Sequence, residues 1–266
     1  MSTVHKLTES EKENLKQNYA KDGFFILRNV VDRQKLTELN KAMAQEFDRQ
    51  SKSGELFSGG GLVSGHLNAY PGLGARFAYD TLEEAGIIDL IKELDPHIVH
   101  LPRVGANYNL PGSHAQHGHT DRGFSRHFMI ANIASVDTNL ENGAMEVIPG
   151  THTRAYKYTE IVLGRMQRNA IRMVVKQGDV VVRNSNLWHR GMPNYTAETR
   201  PQLYFCWEEG GSKEPDPFNV DGGKIRFFPN WYKPTPLGRA REKLFVKVPI
   251  IYSALRFARS MVDKEY

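Results

Sequence analysis

A mainly β chain with flanking helices, closing as a double-stranded β-helix or jelly roll, is predicted by three features of the sequence. Short runs rich in β-branched and aromatic residues recur through the middle of the chain, at 128–136, 144–148, 171–175, 180–184 and 202–207. Turn formers punctuate them, Asn142-Gly143 and Gln177-Gly178-Asp179 most clearly. Helical periodicity lies outside this block, towards the two ends.

In order, residues 8–20 read as a helix capped by Thr8 or Ser10. Gly23 then opens a strand over 24–27. Asp32 caps a second helix to about Arg49, with Leu36, Leu39, Ala42, Met43 and Phe47 on one face. From 51 to 74 the composition turns to glycine and serine, with Gly59-Gly60-Gly61 near its centre, and predicts a mobile loop. Residues 82–94 resume a helix, and 98–109 form the strand region before the motif that matters most. After Trp207 the chain is irregular through Gly210-Gly211, then reaches the aromatic run Phe227-Phe228-Pro229-Asn230-Trp231-Tyr232, which is expected to pack over a sheet.

The 266 residues are read as one domain, residues 1–266, with a basic amphipathic C-terminal extension from about 237 to 266. Pro249 can begin a helix there, with Ile251, Ala254, Leu255, Ala258, Met261 and Val262 on one side and Arg256, Arg259 and Lys264 on the other. Docking of its apolar side on the domain or a second subunit is the expectation, peripheral membrane contact the alternative; the oligomeric state stays open. Composition is ordinary for a globular protein, 40% hydrophobic and 24% charged. The net charge of +5 is compatible with an anionic substrate, but no zinc-finger spacing or long basic block favours nucleic acid. A single cysteine, Cys206, inside an apolar strand, and an N-terminus without an apolar signal core point to a reducing, cytoplasmic compartment.

The chemistry concentrates in Gln116-His117-Gly118-His119-Thr120-Asp121. On an extended strand, residues two apart share a face, so His119 and Asp121 converge. A second imidazole from a distant strand would complete two histidines and one carboxylate on one side of a metal, the ligand set of non-haem Fe(II) oxygenases. His189, in Trp188-His189-Arg190-Gly191, is the candidate. Arg200 follows at the head of a β-rich run, and its planar fork suits the remote carboxylate of 2-oxoglutarate. Tyr108, Asn109 and Gln116, close to the first ligand, are further candidates for holding this cosubstrate, although Asn109 before Leu110-Pro111-Gly112 is by default a turn former. His117 shares the face of His119, but three ligands along one strand would strain a facial arrangement. His114, His117, His127 and His152 are therefore assigned supporting roles.

The chain resembles the phytanoyl-CoA dioxygenase family of Fe(II)/2-oxoglutarate-dependent oxygenases. The likeness rests on His119-x-Asp121, His189 and Arg200, on Glu141-Asn142-Gly143-Ala144-Met145-Glu146-Val147-Ile148-Pro149-Gly150-Thr151-His152, and on the opening Lys21-Asp22-Gly23-Phe24-Phe25-Ile26-Leu27-Arg28-Asn29-Val30-Val31. It implies that Fe(II), 2-oxoglutarate and O2 oxidise a C–H bond of a small-molecule substrate, with release of succinate and CO2. It also implies that the 51–74 segment forms part of a lid. Halogenases related to this family lack the carboxylate ligand, so Asp121 speaks for hydroxylation or another oxidation. The substrate class is open, from small metabolites to lipid-linked molecules. Arg103, Arg122, Arg126, Arg183 and Arg190 could give the mouth a positive field for an anionic one. Two rival readings are a cupin-like metal enzyme without 2-oxoglutarate, such as an isomerase or hydrolase, and a non-catalytic relative that uses the cavity for binding.

Overall fold

A computed structural model of the chain describes residues 4–53, 61–121, 127–208, 215–228 and 235–262. Helix α1 (Glu9–Asp22) starts at Thr8 rather than Ser10. Thr8 Oγ1 accepts from the Glu11 N–H at 3.3 Å, while the Glu11 carboxylate accepts from the Thr8 N–H at 2.8 Å, a reciprocal capping box. Gly23, at φ 84°, ends the helix and turns the chain into β1 (Phe24–Leu27). Helix α2 (Arg33–Ser53) is capped by Asp32, whose carboxylate accepts from the Lys35 N–H at 2.9 Å, and buries Leu36, Leu39 and Met43.

The predicted loop over 51–74 is in part structured. Residues 51–53 finish α2, Gly59 and Gly60 lie outside the described residues, and His66–Tyr70 form β2 inside the main sheet. The glycine and serine of the flanks mask this short strand, most of whose residues are buried. The helix expected over 82–94 is instead two, α3 (Arg76–Glu84) and α4 (Ile87–Leu94), separated at Gly86, which adopts φ 74°. The remaining elements are β3 (Arg103–Asn109), β4 (Met129–Ala134), β5 (Glu146–Val147), α5 (Tyr158–Leu163), β6 (Ile171–Arg172), β7 (Val180–Asn184), β8 (His189–Arg190), β9 (Arg200–Cys206), β10 (Arg226–Phe228), α6 (Pro236–Lys247) and α7 (Pro249–Met261).

Two antiparallel sheets face each other, as a jelly roll requires. The larger has the order β1-β7-β4-β9-β3-β2-β10 and the smaller β6-β5-β8. One face of the large sheet, with Val180, Val182, Met129, Ala131, Leu203, Phe205, Ala106 and Tyr108, packs on Leu36, Met43, Leu82 and Ile91 of the helices to make the principal core. Each such buried aliphatic side chain contributes about 1.5–3 kcal/mol. Phe227 of β10 belongs to this layer, its ring 5.0 Å from that of Tyr108 and 5.4 Å from that of Phe47, which answers the packing role expected for the start of the aromatic run. Residues 229–232 of that run lie outside the described residues.

The inner face of the large sheet changes character along its strands. At one end Phe24, Val181 and Ala134 meet Val147, Met173 and Leu187 in a second apolar cluster. At the other end the same strand parity carries Arg183, Asn132, Gln202 and Asn107, and the two sheets part around a cavity. The closed end holds the sheets together; the open end is left for chemistry.

Candidate metal centre

His119 and His189 come from segments 70 positions apart and form an isolated antiparallel bridge. Each backbone N–H donates to the other's carbonyl at 2.9 Å. The short pairing is possible because the chain leaves β7 at Asn184, turns through Ser185 and Asn186, and starts β8 in the small sheet at His189. Asp121 is fixed in turn by its own N–H, which donates to the Ser185 carbonyl at 3.1 Å.

The two imidazoles are locked alike. Nδ1 of His119 donates to the carbonyl of His117 at 2.7 Å, and Nδ1 of His189 to that of Leu187 at 2.9 Å. A carbonyl only accepts, so Nδ1 carries the proton and Nε2 keeps its lone pair for a metal. Nε2 of His189 lies 3.6 Å from Oδ1 of Asp121. Ligand atoms of His119, Asp121 and His189 all lie within 4.8 Å of one another. Two neutral nitrogens and one carboxylate at this spacing suit a first-row divalent metal, and they match the facial set of non-haem iron enzymes.

Protonation favours binding. Burial, together with the nearby Arg183 charge, pushes His189 down to about 3, the Asp121 carboxylate opposing. Burial also lowers His119. For Asp121 the desolvation of the cavity works to raise the carboxyl, but the Arg183 guanidinium and the His189 ring outweigh it and hold the group at about 2. All three donors are therefore ready for a cation near neutral pH without releasing protons.

Arg183 does not join a positive mouth, the role its sequence position suggests. It is buried on β7, with Nη1 2.5 Å from Oδ2 of Asp121 and Nε donating to Asn132 Oδ1 at 3.0 Å. Arg190 is taken by Glu146, Nε to Oε1 at 2.6 Å, and Arg103 by Glu208. Arg122 and Arg126 lie outside the described residues. The described arginines of that group are thus held in ion pairs, and the uniform positive field expected from their sequence positions is not what they make.

The three candidate ligands open onto a cavity of about 740 Å³ between the sheets. Arg200, at the head of β9, lines it too. Its backbone is in register with Asn109, which in turn faces His66, so β2, β3 and β9 deliver these three residues as one row. The next row inward is Asn68, Asn107 and Gln202. Arg200 is buried, and its hydrogen bonds go to neutral acceptors, the Asn142 carbonyl at 3.1 Å and Gln202 Oε1 at 3.4 Å. Burial and then the like charge of Arg172 push it down to about 10, still cationic at neutral pH. The Asn142 carbonyl is presented by the predicted Asn142-Gly143 turn. Gly143 sits at φ 86°, and a Cβ there would meet the Met192 carbonyl oxygen at 2.6 Å.

The other candidates separate. Gln116 lines the cavity, with Oε1 accepting from the Gly191 N–H at 2.9 Å. Asn109 is buried behind it, and its Nδ2 donates to the Met192 carbonyl at 3.2 Å. Tyr108 does not reach the cavity. Adjacent residues on a strand point to opposite faces, so with Asn107 and Asn109 turned inward Tyr108 must enter the helix-side core, where its hydroxyl accepts from Thr199 Oγ1 at 3.2 Å. The polar parity of β3 and β9, Asn107 and Asn109 on one and Arg200 and Gln202 on the other, was the signal that would have pointed to Asn107 and Gln202. His66 and Asn68 were hidden by the unrecognised β2. Among the remaining histidines, the His117 ring lies 4.3 Å from that of Tyr252, tilted by 47°, and the His114 carbonyl accepts from His66 Nε2 at 2.7 Å. The His152 ring lies 6.0 Å from that of Tyr19, beside Gly23.

Several solved structures share this architecture. The epimerase SnoN, in complex with Fe3+, alpha ketoglutarate and nogalamycin RO, is 19% identical, with 75% of this chain and 84% of that chain covered at a TM-score of 0.56. AviO1 from Streptomyces viridochromogenes Tue57 is 18% identical over 81% of this chain and 100% of its own, TM-score 0.55. The alpha ketoglutarate dependent carbocyclase SnoK from nogalamycin biosynthesis is 17% identical over 83% and 96%, TM-score 0.51. At these identities the likeness establishes the fold, the double-stranded β-helix expected from the strand pattern. The sequence itself matches the phytanoyl-CoA dioxygenase (PhyH) family model from residue 19 to residue 202, a span that holds His119, Asp121, His189 and Arg200, and the chain belongs to that family.

Proposed function

We propose that the protein is an Fe(II)- and 2-oxoglutarate-dependent oxygenase that hydroxylates a C–H bond of a small-molecule substrate. The observation that carries the reading is the pairing, in one cavity, of a two-histidine, one-carboxylate set with a buried cationic Arg200 that has neutral partners. A buried charge is costly unless an opposite charge meets it, and the far carboxylate of 2-oxoglutarate would supply that charge through a bidentate contact. A cupin-like isomerase or hydrolase would have no use for such an anchor.

His119, Asp121 and His189 would hold the iron, their rings and carboxylate kept in place by the His117 and Leu187 carbonyls and by Arg183. When bound, iron with 2-oxoglutarate supplies oxidation of a C–H bond by O2, giving R–OH, succinate and CO2 from R–H, 2-oxoglutarate and O2. Arg200 fixes the cosubstrate by its remote end, and Gln116, which lines the same cavity, would assist. Phe128, Ile130 and Met145 give the cavity an apolar wall that keeps water from the reacting centre. The amides Asn68, Asn107 and Gln202 line the rest and suit a substrate bearing hydroxyl or carbonyl groups. Asp121 as a third protein ligand favours hydroxylation over halogenation.

Anaerobic addition of Fe(II) and 2-oxoglutarate is expected to give the weak visible charge-transfer band of the chelate, and Asp121→Ala to abolish it. A band absent from the unaltered protein would count against the reading. Screening metabolite pools for compounds that accelerate succinate formation then finds the substrate. A product heavier by one oxygen marks hydroxylation, whereas a product of unchanged mass marks an isomerising outcome.

A further inference from the structure

Helix α7 is inside out. A helix at the surface of a soluble domain buries its apolar stripe and turns polar residues to water. Here the buried residues of α7 are Arg256 and Ser260. Arg256 sits with its guanidinium 4.4 Å from the Tyr158 ring centre, 5.4 Å from that of Trp188 and 6.0 Å from that of Tyr252, and donates to the Gly118 carbonyl. Ser260 Oγ accepts from the Thr159 N–H at 3.1 Å. Of the partners expected for the apolar stripe, its own domain, a second subunit or a membrane, the cation–π cage and the Gly118 contact remove the first, since the domain takes Arg256 instead.

The stripe is consequently turned outward. Ile250 is 73% exposed, Met261 63% and Val262 61%, and Ile251 and Leu255 lie on the same open arc. Just before them, at the end of α6, Leu244 and Val248 are exposed as well. Helix α6, which carries the exposed end of this apolar surface, also bears the exposed cations Arg239, Arg241, Lys243 and Lys247. Glu242, the one acidic residue between 236 and 262, is buried, accepting from the N–H groups of Gly61 and Ser64. No described helix is long and apolar enough to cross a membrane.

We propose that the outer face of α7, with the adjoining end of α6, docks on an anionic membrane surface. Apolar side chains that enter the headgroup region beside lysines and arginines are the signature of an interfacial helix. Charge decides between the two occupants an apolar face can take. A second copy would set one patch rich in cations against another of the same sign, whereas acidic lipid neutralises it. The face is continuous with the catalytic cavity, because Leu255 and Arg259 of α7 also line its wall. Docking therefore sets the mouth of the cavity against the bilayer.

The test is co-sedimentation of the full chain with vesicles of phosphatidylcholine alone and with about one-third phosphatidylglycerol. Binding is expected only to the acidic vesicles, and to fall by about five-fold for each charge removed in Lys243→Gln and Lys247→Gln. The double variant Ile250→Glu with Ile251→Glu, at exposed positions, is expected to lose binding by about ten-fold or more while keeping the circular dichroism and thermal midpoint of the parent. Equal binding to both vesicle types, no binding to either, or retention by the double variant would overturn the proposal. So would a concentration-dependent dimer that the double variant dissolves, which would assign the face to a second copy. None of these readouts involves iron or turnover, so they stand apart from the oxygenase reading.

Discussion

Arg183 meets both oxygens of Asp121: Nη1 is 2.5 Å from Oδ2 and Nη2 donates to Oδ1 at 3.5 Å, while Oδ1 also faces Nε2 of His189 at 3.6 Å. The guanidinium thus keeps the carboxylate ionised and turned. Groups that orient a metal ligand typically account for about 10–100-fold in metal affinity. Arg183→Met is expected to weaken Fe(II) or Mn(II) binding by about ten-fold or more, read by competition with a metallochromic chelator. Unchanged affinity would show that the Asp121 backbone bond to Ser185 suffices to position the ligand.

Arg200→Met removes the charge that is proposed to hold the cosubstrate. Loss of one partner from a buried charge pair costs about 2–5 kcal/mol, so the Kd for 2-oxoglutarate is expected to rise by roughly 30-fold or more. Titration of the anaerobic chelate band measures it. Without cosubstrate the same substitution relieves an uncompensated buried charge, and the thermal midpoint is expected to hold or rise. A fall in stability with no change in Kd would make Arg200 a structural residue.

Tyr108→Phe separates the two faces of β3. The hydroxyl makes one hydrogen bond, to Thr199, in the helix-side core. Its loss is expected to cost about 1 kcal/mol in urea unfolding and to leave 2-oxoglutarate affinity unchanged. A raised Kd would place the ring nearer the cavity than its strand parity allows.

The metal-free protein is expected to lose stability on mild acidification. Burial lowers His66 and His117 to about 4 and His189 to about 3, against an ordinary value of 6.5. Between about pH 6.5 and 3 the unfolded chain therefore binds more protons than the folded one, and stability falls as pH falls through that window. Asp121, held at about 2 against 3.8, extends the loss further down in the same direction. Thermal midpoints of chelator-treated protein at about pH 7, 6 and 5 test this, and a flat profile would mean that these imidazoles are solvated.

Much of the site was legible because its logic is local. His119 and Asp121 converge as their spacing suggested, although only His119 pairs, as a single bridge, and Asp121 sits in a bend tied to Ser185, while the β-rich runs around His189 and Arg200 are strands. Arg183 was misplaced because its role depends on the distance between β7 and the segment after His119, which no local pattern reports. Tyr108 and Asn109 could not both face a ligand, and parity, applied to β3 as it was to His119 and Asp121, would have said so. For α7 the periodicity gave the stripe correctly but not its direction. A single arginine among three aromatic rings set that direction, and those rings come from segments far apart in the chain. Within 51–74 the five residues of β2 are outweighed by the glycine and serine on either side, so the strand leaves no mark on the composition of the segment.

Each imidazole is tethered to a main-chain carbonyl two positions back, His119 to His117 and His189 to Leu187. Main-chain atoms cannot be substituted, so these tethers survive any exchange of neighbouring side chains. Evolution, or an engineer, can therefore rewrite Asn68, Asn107 and Gln202 to admit a different molecule without re-aiming the nitrogens. In such a scaffold, taste and grip are inherited separately.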